Sequence, residues 1–153
     1  MGIGLMPIAF LVDDAPDIRL LLRAIVSRCG YEIREAGDGA AAMALVDEVV
    51  PDLVLLDLQM PEMDGWETLD ALRRDPRTAS VPVVLCTVKS HPDDMRRGWL
   101  AGCDGFLTKP FDVGDITAAV REIYELTPDE RVENRRRHLA ALTDLLTEVE
   151  ASQ

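Results

Sequence analysis

Basic residues are in deficit: 16 Lys and Arg stand against 28 Asp and Glu, so the 153-residue chain carries a formal net charge of −12. A net anion meets repulsion from phosphates before it makes contact, which argues against nucleic acid and against anionic membrane surfaces as partners. Cysteine is scarce and unpatterned. Cys29, Cys86 and Cys103 show no CxxC spacing and are odd in number, which argues against a disulfide framework or a zinc site. It fits small core residues in a reduced, cytoplasmic compartment. No stretch reaches the ~18 apolar residues that span a bilayer, so membrane insertion is not expected. Residues 1–12 are apolar but lack a basic flank and run straight into Asp13-Asp14. They read as a short tail, 1–6, and a first strand, not as a secretory leader. Met6 stands where an N-myristoylation signal needs Ser or Thr. Internal repeats and low-complexity tracts are absent as well. An apolar fraction of 48% suits one globular domain with room for an appendage.

What is present is a regular alternation of short apolar runs and helical spacings. Residues 8–12 form the first run, and an acidic loop, Asp13-Asp14-Ala15-Pro16-Asp17, follows it. Ile18, Leu21, Leu22, Ile25 and Val26 then recur at helical spacing up to Gly30. Residues 31–36 make a more polar strand, as an edge strand would be. Asp38 or Gly39 caps a second helix, and 53–56 is the third strand, with Asp57 at its end. Asp64 caps a third helix with Glu67 in capping-box position. Residues 81–86 and 105–108 are the fourth and fifth strands. Pro92 opens the helix between them, His91 reads as loop or cap, and Asp112 caps the fifth helix. Five such alternations predict an α/β fold, a doubly wound five-stranded parallel sheet with helices on both faces. An extra C-terminal helix is expected from about 129 to 150.

In a parallel sheet the strand ends share one edge. Asp13-Asp14, Asp57, Thr87 and Lys109 all fall at strand ends and are expected to converge there. Three carboxylates so close repel unless a cation sits among them, and oxygen-only donors suit a hard ion, Mg²⁺ or Mn²⁺. The chemistry expected is phosphoryl transfer to Asp57, with Lys109 as a second positive charge and Thr87 as a hydroxyl donor.

The acidic pair Asp13-Asp14, the run LLDLQMPEMDG, the Thr87 strand end and the segment GFLTKPF together resemble the receiver domains of two-component response regulators, over residues 7–126. The resemblance implies the flavodoxin-like strand order 2-1-3-4-5. It makes Asp57 the phosphoacceptor. Asp13, Asp14, Asp57 and the backbone carbonyl of Gln59 would form the metal site, and Lys109 would be the family lysine, followed by a proline often reached through a cis bond. Thr87 and Phe106 match the switch positions, Phe106 standing where many members carry tyrosine. Gln59, Val88 and Lys89 fall where the family tunes phosphate lifetime. A sensor histidine kinase or a histidine phosphotransfer protein would supply the phosphoryl group, and a downstream protein partner would read it. Only self-phosphorylation and self-dephosphorylation chemistry is implied, not an enzyme acting on a separate substrate. The residues after 126 are too few for a DNA-binding or catalytic domain, so a stand-alone receiver is expected. An aspartate-nucleophile phosphatase of the haloacid dehalogenase type is the alternative, but it carries an acid where this chain has Gln59. A degenerate receiver, serving as a constitutive interaction module, would not need the full set of site residues.

Two features stay open. Met95 and Trp99, four apart on one helix, are either core or part of a partner surface. In 127–153, Val132, Leu139 and Leu146 are seven apart, as are Leu142 and Val149, with arginines at 135–137 between them. That a/d pattern suits a sixth helix packed on the domain, a dimerising coiled coil or a stub leading to an output domain. Dimerisation (a homodimer) or partner docking is the favoured expectation.

Overall fold

Two of the apolar runs become strands with every residue buried: β3 (Leu53–Asp57) and β4 (Val83–Thr87). β1 (Ile8–Val12) is buried in all but its first residue. These three occupy the middle of the sheet, where both faces are covered. The shorter or more polar β2 (Glu32–Ala36) and β5 (Gly105–Thr108) are the edges, and the order is β2-β1-β3-β4-β5, all parallel. The computed structural model describes residues 6–60, 63–88 and 91–152. Helices α1 (Pro16–Arg28), α2 (Gly39–Glu48), α3 (Gly65–Arg74) and α4 (Pro92–Ala101) make the crossovers, and α5 (Val113–Glu125) and α6 (Pro128–Ala151) follow β5. The expected doubly wound fold and its sixth helix are therefore both present.

Side chains alternate across the sheet with period two. Phe10, Val12, Val54, Leu56, Val83 and Leu85 pack with Leu69, Leu72 and Trp99 on one face. Ala9, Leu11, Leu53, Leu55, Val84 and Cys86 pack with Leu22, Ile25, Ile116 and Val120 of α1 and α5 on the other. Pro82 holds β4 to a start at Val83, two residues later than its apolar run begins. Helix starts follow their caps. The Asp38 carboxylate accepts from Ala41 N, and Asp112 and Asp115 complete a reciprocal box, as do Thr127 and Glu130. At α3 only half of the expected box forms, with Asp64 accepting from Glu67 N. His91 is a cap, its Nδ1 accepting from Asp93 N at 3.1 Å.

The C-terminal helix departs from the a/d expectation. Val132 and Val149 are exposed, whereas Leu139 and Leu142 pack against the core under α4. Leu146 is half-buried. The reason is Arg135, which turns inward so that its Nε lies 3.3 Å from Asp104 Oδ1. The buried carboxylate, more than the heptad, fixes which stripe of α6 faces the domain. Trp99 is packed in the core beneath α6: it is 5% exposed, stacks on His138 and meets Phe106 edge-on. Met95 is half-buried at the same seam.

Asp104 is also the anchor for α3. Arg73 donates to Asp104 Oδ2 (3.0 Å) and to the carbonyls of Gly102 (2.9 Å), Thr78 (3.1 Å) and Val81 (2.7 Å). Replacing Arg73 with Ala removes all four bonds and one partner of a buried carboxylate. Urea unfolding is expected to show a loss of about 3 kcal/mol, against a loss within about 0.5 kcal/mol for Arg74→Ala, whose pair with Asp70 is exposed.

Candidate functional site

The register of the sheet brings the polar strand ends together. Val12 pairs with Leu56, Asp57 with Cys86 and Thr87 with Thr108, so the residues that follow β1 and β5 meet Asp57 at one edge. Backbone bonds fix the loops there: Asp13 N donates to Ala36 O, Leu58 N to Cys86 O and Lys109 N to Thr87 O. The Lys109–Pro110 bond is cis, as the family pattern implied. Gly65 is needed for close approach, because a Cβ there would run into Asp57 O and Leu58 Cα.

Asp57 and Asp13 are 3% and 1% exposed, and Asp14 is open to solvent. Carboxylate oxygens of all three lie within 4.8 Å of one another. Lys109 Nζ bridges the two buried acids, 3.0 Å from Asp13 Oδ2 and 3.3 Å from Asp57 Oδ1. Gln59 N donates to Asp57 Oδ1 at 3.1 Å, and Ala15 N to Asp13 Oδ1 at 2.9 Å. Burial is the main reason that the Asp57 carboxyl is pushed above its ordinary pKa. The Gln59 N–H opposes that, the Asp13 charge adds to it, and Lys109 partly offsets it. For Lys109, burial alone would lower the ammonium, but the Asp13 and Asp57 carboxylates outweigh it and hold it above its usual value. Like charges at ~5 Å repel by roughly 3 kcal/mol per pair at an effective dielectric near 20. One lysine among three acids leaves the cluster net negative. All the donors are oxygens, so the arrangement fits a hard divalent cation.

The sequence placed Asp13, Asp14, Asp57, Thr87 and Lys109 at one edge, and the structure brings them there. Thr87 is buried. The Gln59 and Val88 side chains are exposed beside the site, and Lys89 lies outside the described residues. Phe106 is half-buried, packed between Gly98 and Trp99 on the α4 side. Arg19 escaped the sequence reading. Its Nη1 donates to Asp13 O at 2.6 Å and its Nε pairs with Glu35 at 3.3 Å, clipping the loop that carries the acidic pair to β2. The only signal was a cation one turn into the helix after two acids, which also describes many ordinary surface arginines.

Residues 9–121 match the family model of the response regulator receiver domain. The chain is 38% identical over 133 residues to the DNA-binding dual master transcriptional regulator RpaA of Synechocystis sp., covering 87% of this chain and 54% of that protein. It is 36% identical to the DNA-binding response regulator MtrA of Mycolicibacterium smegmatis, over 80% of this chain and 52% of that protein. It thus spans about half the length of these curated relatives. The chemotaxis response regulator CheY4 of Vibrio cholerae superposes with a TM-score of 0.74 at 28% identity, over 78% of this chain and 99% of CheY4. The chain belongs to the receiver domain family of two-component response regulators.

Proposed function

We propose that this chain is a phosphorylation-switched signalling module in which Asp57 accepts a phosphoryl group from a phosphohistidine. The donor is a sensor histidine kinase or a histidine phosphotransfer protein. The observation that carries the reading is Asp57 itself: a buried carboxylate at a strand end, within 3.3 Å of Lys109 Nζ and beside two further acids. The reading extends over 7–126, with 127–153 as a partner-docking or dimerising appendage. With no helix among the described residues long and apolar enough to cross a membrane, we place its action in the cytoplasm. The matched segment spans only about half of the length of each relative named as DNA-binding. Its own net charge of −12 favours protein partners over nucleic acid.

In the transfer, an Asp57 carboxylate oxygen attacks phosphorus in line with the phosphohistidine P–N bond. The new O–P bond makes an acyl phosphate as the P–N bond breaks, and the pair of electrons returns to the donor imidazole. Asp13, Asp14, Asp57 and the Gln59 carbonyl would hold Mg²⁺ or Mn²⁺, which supplies charge neutralisation for the equatorial oxygens. Lys109 exchanges its contact with Asp57 for a phosphoryl oxygen, and the Thr87 hydroxyl donates to another. The exposed Gln59 side chain takes the place of an acid two residues after the nucleophile. Without that base to activate water, the acyl phosphate lasts as a signal. Val88 is exposed beside the same approach, and Val88 and Lys89 are the positions that tune its lifetime.

The test is mass spectrometry of the intact chain after incubation with Mg²⁺ and a small acyl or amido phosphate. One added phosphoryl group is expected in the wild type and none in Asp57→Asn; equal uptake by both would contradict the assignment. A second expectation concerns stability. Ionised Asp57 is disfavoured in the folded state relative to the unfolded, so it subtracts from stability at neutral pH, and the penalty fades as pH falls through its raised pKa. Without metal, Asp57→Asn is therefore expected to melt ~2–4 °C above wild type at pH 7, with the gap closing on acidification. Millimolar Mg²⁺ should raise the wild-type Tm and leave that of Asp57→Asn nearly unmoved, as calorimetry would read directly.

A further inference from the structure

Asp13 and Asp14 are neighbours in sequence but are held in different ways. The Asp13 carboxylate accepts from Lys109 Nζ and from Ala15 N, and its backbone N–H donates to Ala36 O at the end of β2. The Asp14 side chain is open to solvent and makes no hydrogen bond or ion pair among the described residues. Where that carboxylate stands is therefore set by the peptide that joins it to Asp13. The carbonyl of that peptide, Asp13 O, accepts a 2.6 Å bond from Arg19 Nη1. The guanidinium is itself aimed, because its Nε lies 3.3 Å from Glu35 Oε1. Arg23 shares Glu35 from the next turn of α1, at 2.6 Å from the other oxygen. Glu35 lies in β2, in register with Leu11 of β1. Asp13 is thus tied to β2 at both its N–H and its carbonyl, the first tie direct and the second through Arg19.

We propose that Arg19 is a positioning residue for the divalent cation: by holding Asp13 O it sets where Asp14 presents its carboxylate, and so sets the affinity of the site. The proposal rests on the reading of Asp13, Asp14 and Asp57 as metal ligands. Groups behind the ligands orient them, and losing one typically costs about ten- to a hundred-fold in metal affinity. Arginine suits the task because its planar fork serves two oxygens at once, Asp13 O through Nη1 and Glu35 through Nε, whereas a lysine ammonium is a single point charge. Charge works in the opposite direction, so the sign of the effect decides between the two. A cation beside an acidic cluster opposes the entry of a second cation, and on charge alone the loss of Arg19 would tighten metal binding. Placement of Asp14 by Arg19 makes the same loss weaken it.

The probe is Mn²⁺, titrated into the full chain with the free ion counted by electron paramagnetic resonance. Asp57→Asn gives the background of binding elsewhere on the acidic surface. Arg19→Ala and Arg19→Lys are each expected to bind Mn²⁺ about ten-fold more weakly than wild type. Their metal-free melting temperatures should stay within ~4 °C of wild type, and Arg19→Lys keeps the charge and the long stem should Arg19→Ala fail to fold. Arg23→Ala removes the same charge from the same helix but leaves the bond to Asp13 O in place, and it should bind within about two-fold of wild type. With a small acyl phosphate as donor, the Mn²⁺ concentration at half-maximal phosphorylation should rise about ten-fold in the Arg19 variants, with the rate at saturating Mn²⁺ nearly unchanged. Three results would overturn the proposal: Mn²⁺ binding unchanged or tighter in a folded Arg19 variant, an equal loss in Arg23→Ala, or a lower rate at saturating Mn²⁺ with unchanged affinity. Wild type that binds no more Mn²⁺ than Asp57→Asn would overturn the metal site itself, and this proposal with it.

Discussion

The Lys109 ammonium between Asp13 and Asp57 is the contact on which the site depends. Two buried carboxylates at one sheet edge repel, and burial adds to the cost of ionising Asp57. Lysine, supplied from ninety-six residues beyond Asp13 through β5, makes that pair tolerable without filling the site. It reaches there because β5 lies beside β4, and β4 beside β3. The parallel sheet is therefore a device for gathering distant charges. Its cost is a local excess of negative charge, and that excess, on oxygen donors alone, fits the edge for a divalent cation.

Most of this was legible in the chain because two periodicities carry it. Fully apolar runs ending in polar residues gave the central strands. Caps such as Asp38, Asp64 and Asp112 gave the helix starts to within a residue or two. The site followed from one topological rule, that parallel strands present their ends on one edge. Arg19 and Asp104 were not legible, since their roles are tertiary. One clips a loop to β2, and the other takes arginines from α3 and α6 across intervals of about thirty residues. The heptad spacing in α6 was real as a pattern but did not choose the buried stripe. A half-buried arginine answering a buried carboxylate outweighed two valines that could stay in water, Val132 and Val149.

The two halves of the molecule meet at Phe106. Its strand neighbours are Leu85 and, two residues on, the Thr87–Thr108 pair of the site edge. Its ring rests against Gly98 and Trp99, and a side chain on Gly98 would collide with it. Trp99 in turn carries His138 of α6. The side chains between the site edge and α6 are thus in continuous contact, and packed interiors do not deform smoothly. Phenylalanine at this position provides bulk and no hydroxyl.

The most direct test of the central claim is to trap the acyl phosphate where it forms. The chain is treated with a small phosphoryl donor and Mg²⁺, reduced with borohydride and mapped by peptide mass spectrometry. Reduction is expected at Asp57 alone; reduction at Asp13 or Asp14, or a phosphoryl group found on a histidine, would contradict the assignment of Asp57 as the phosphoacceptor.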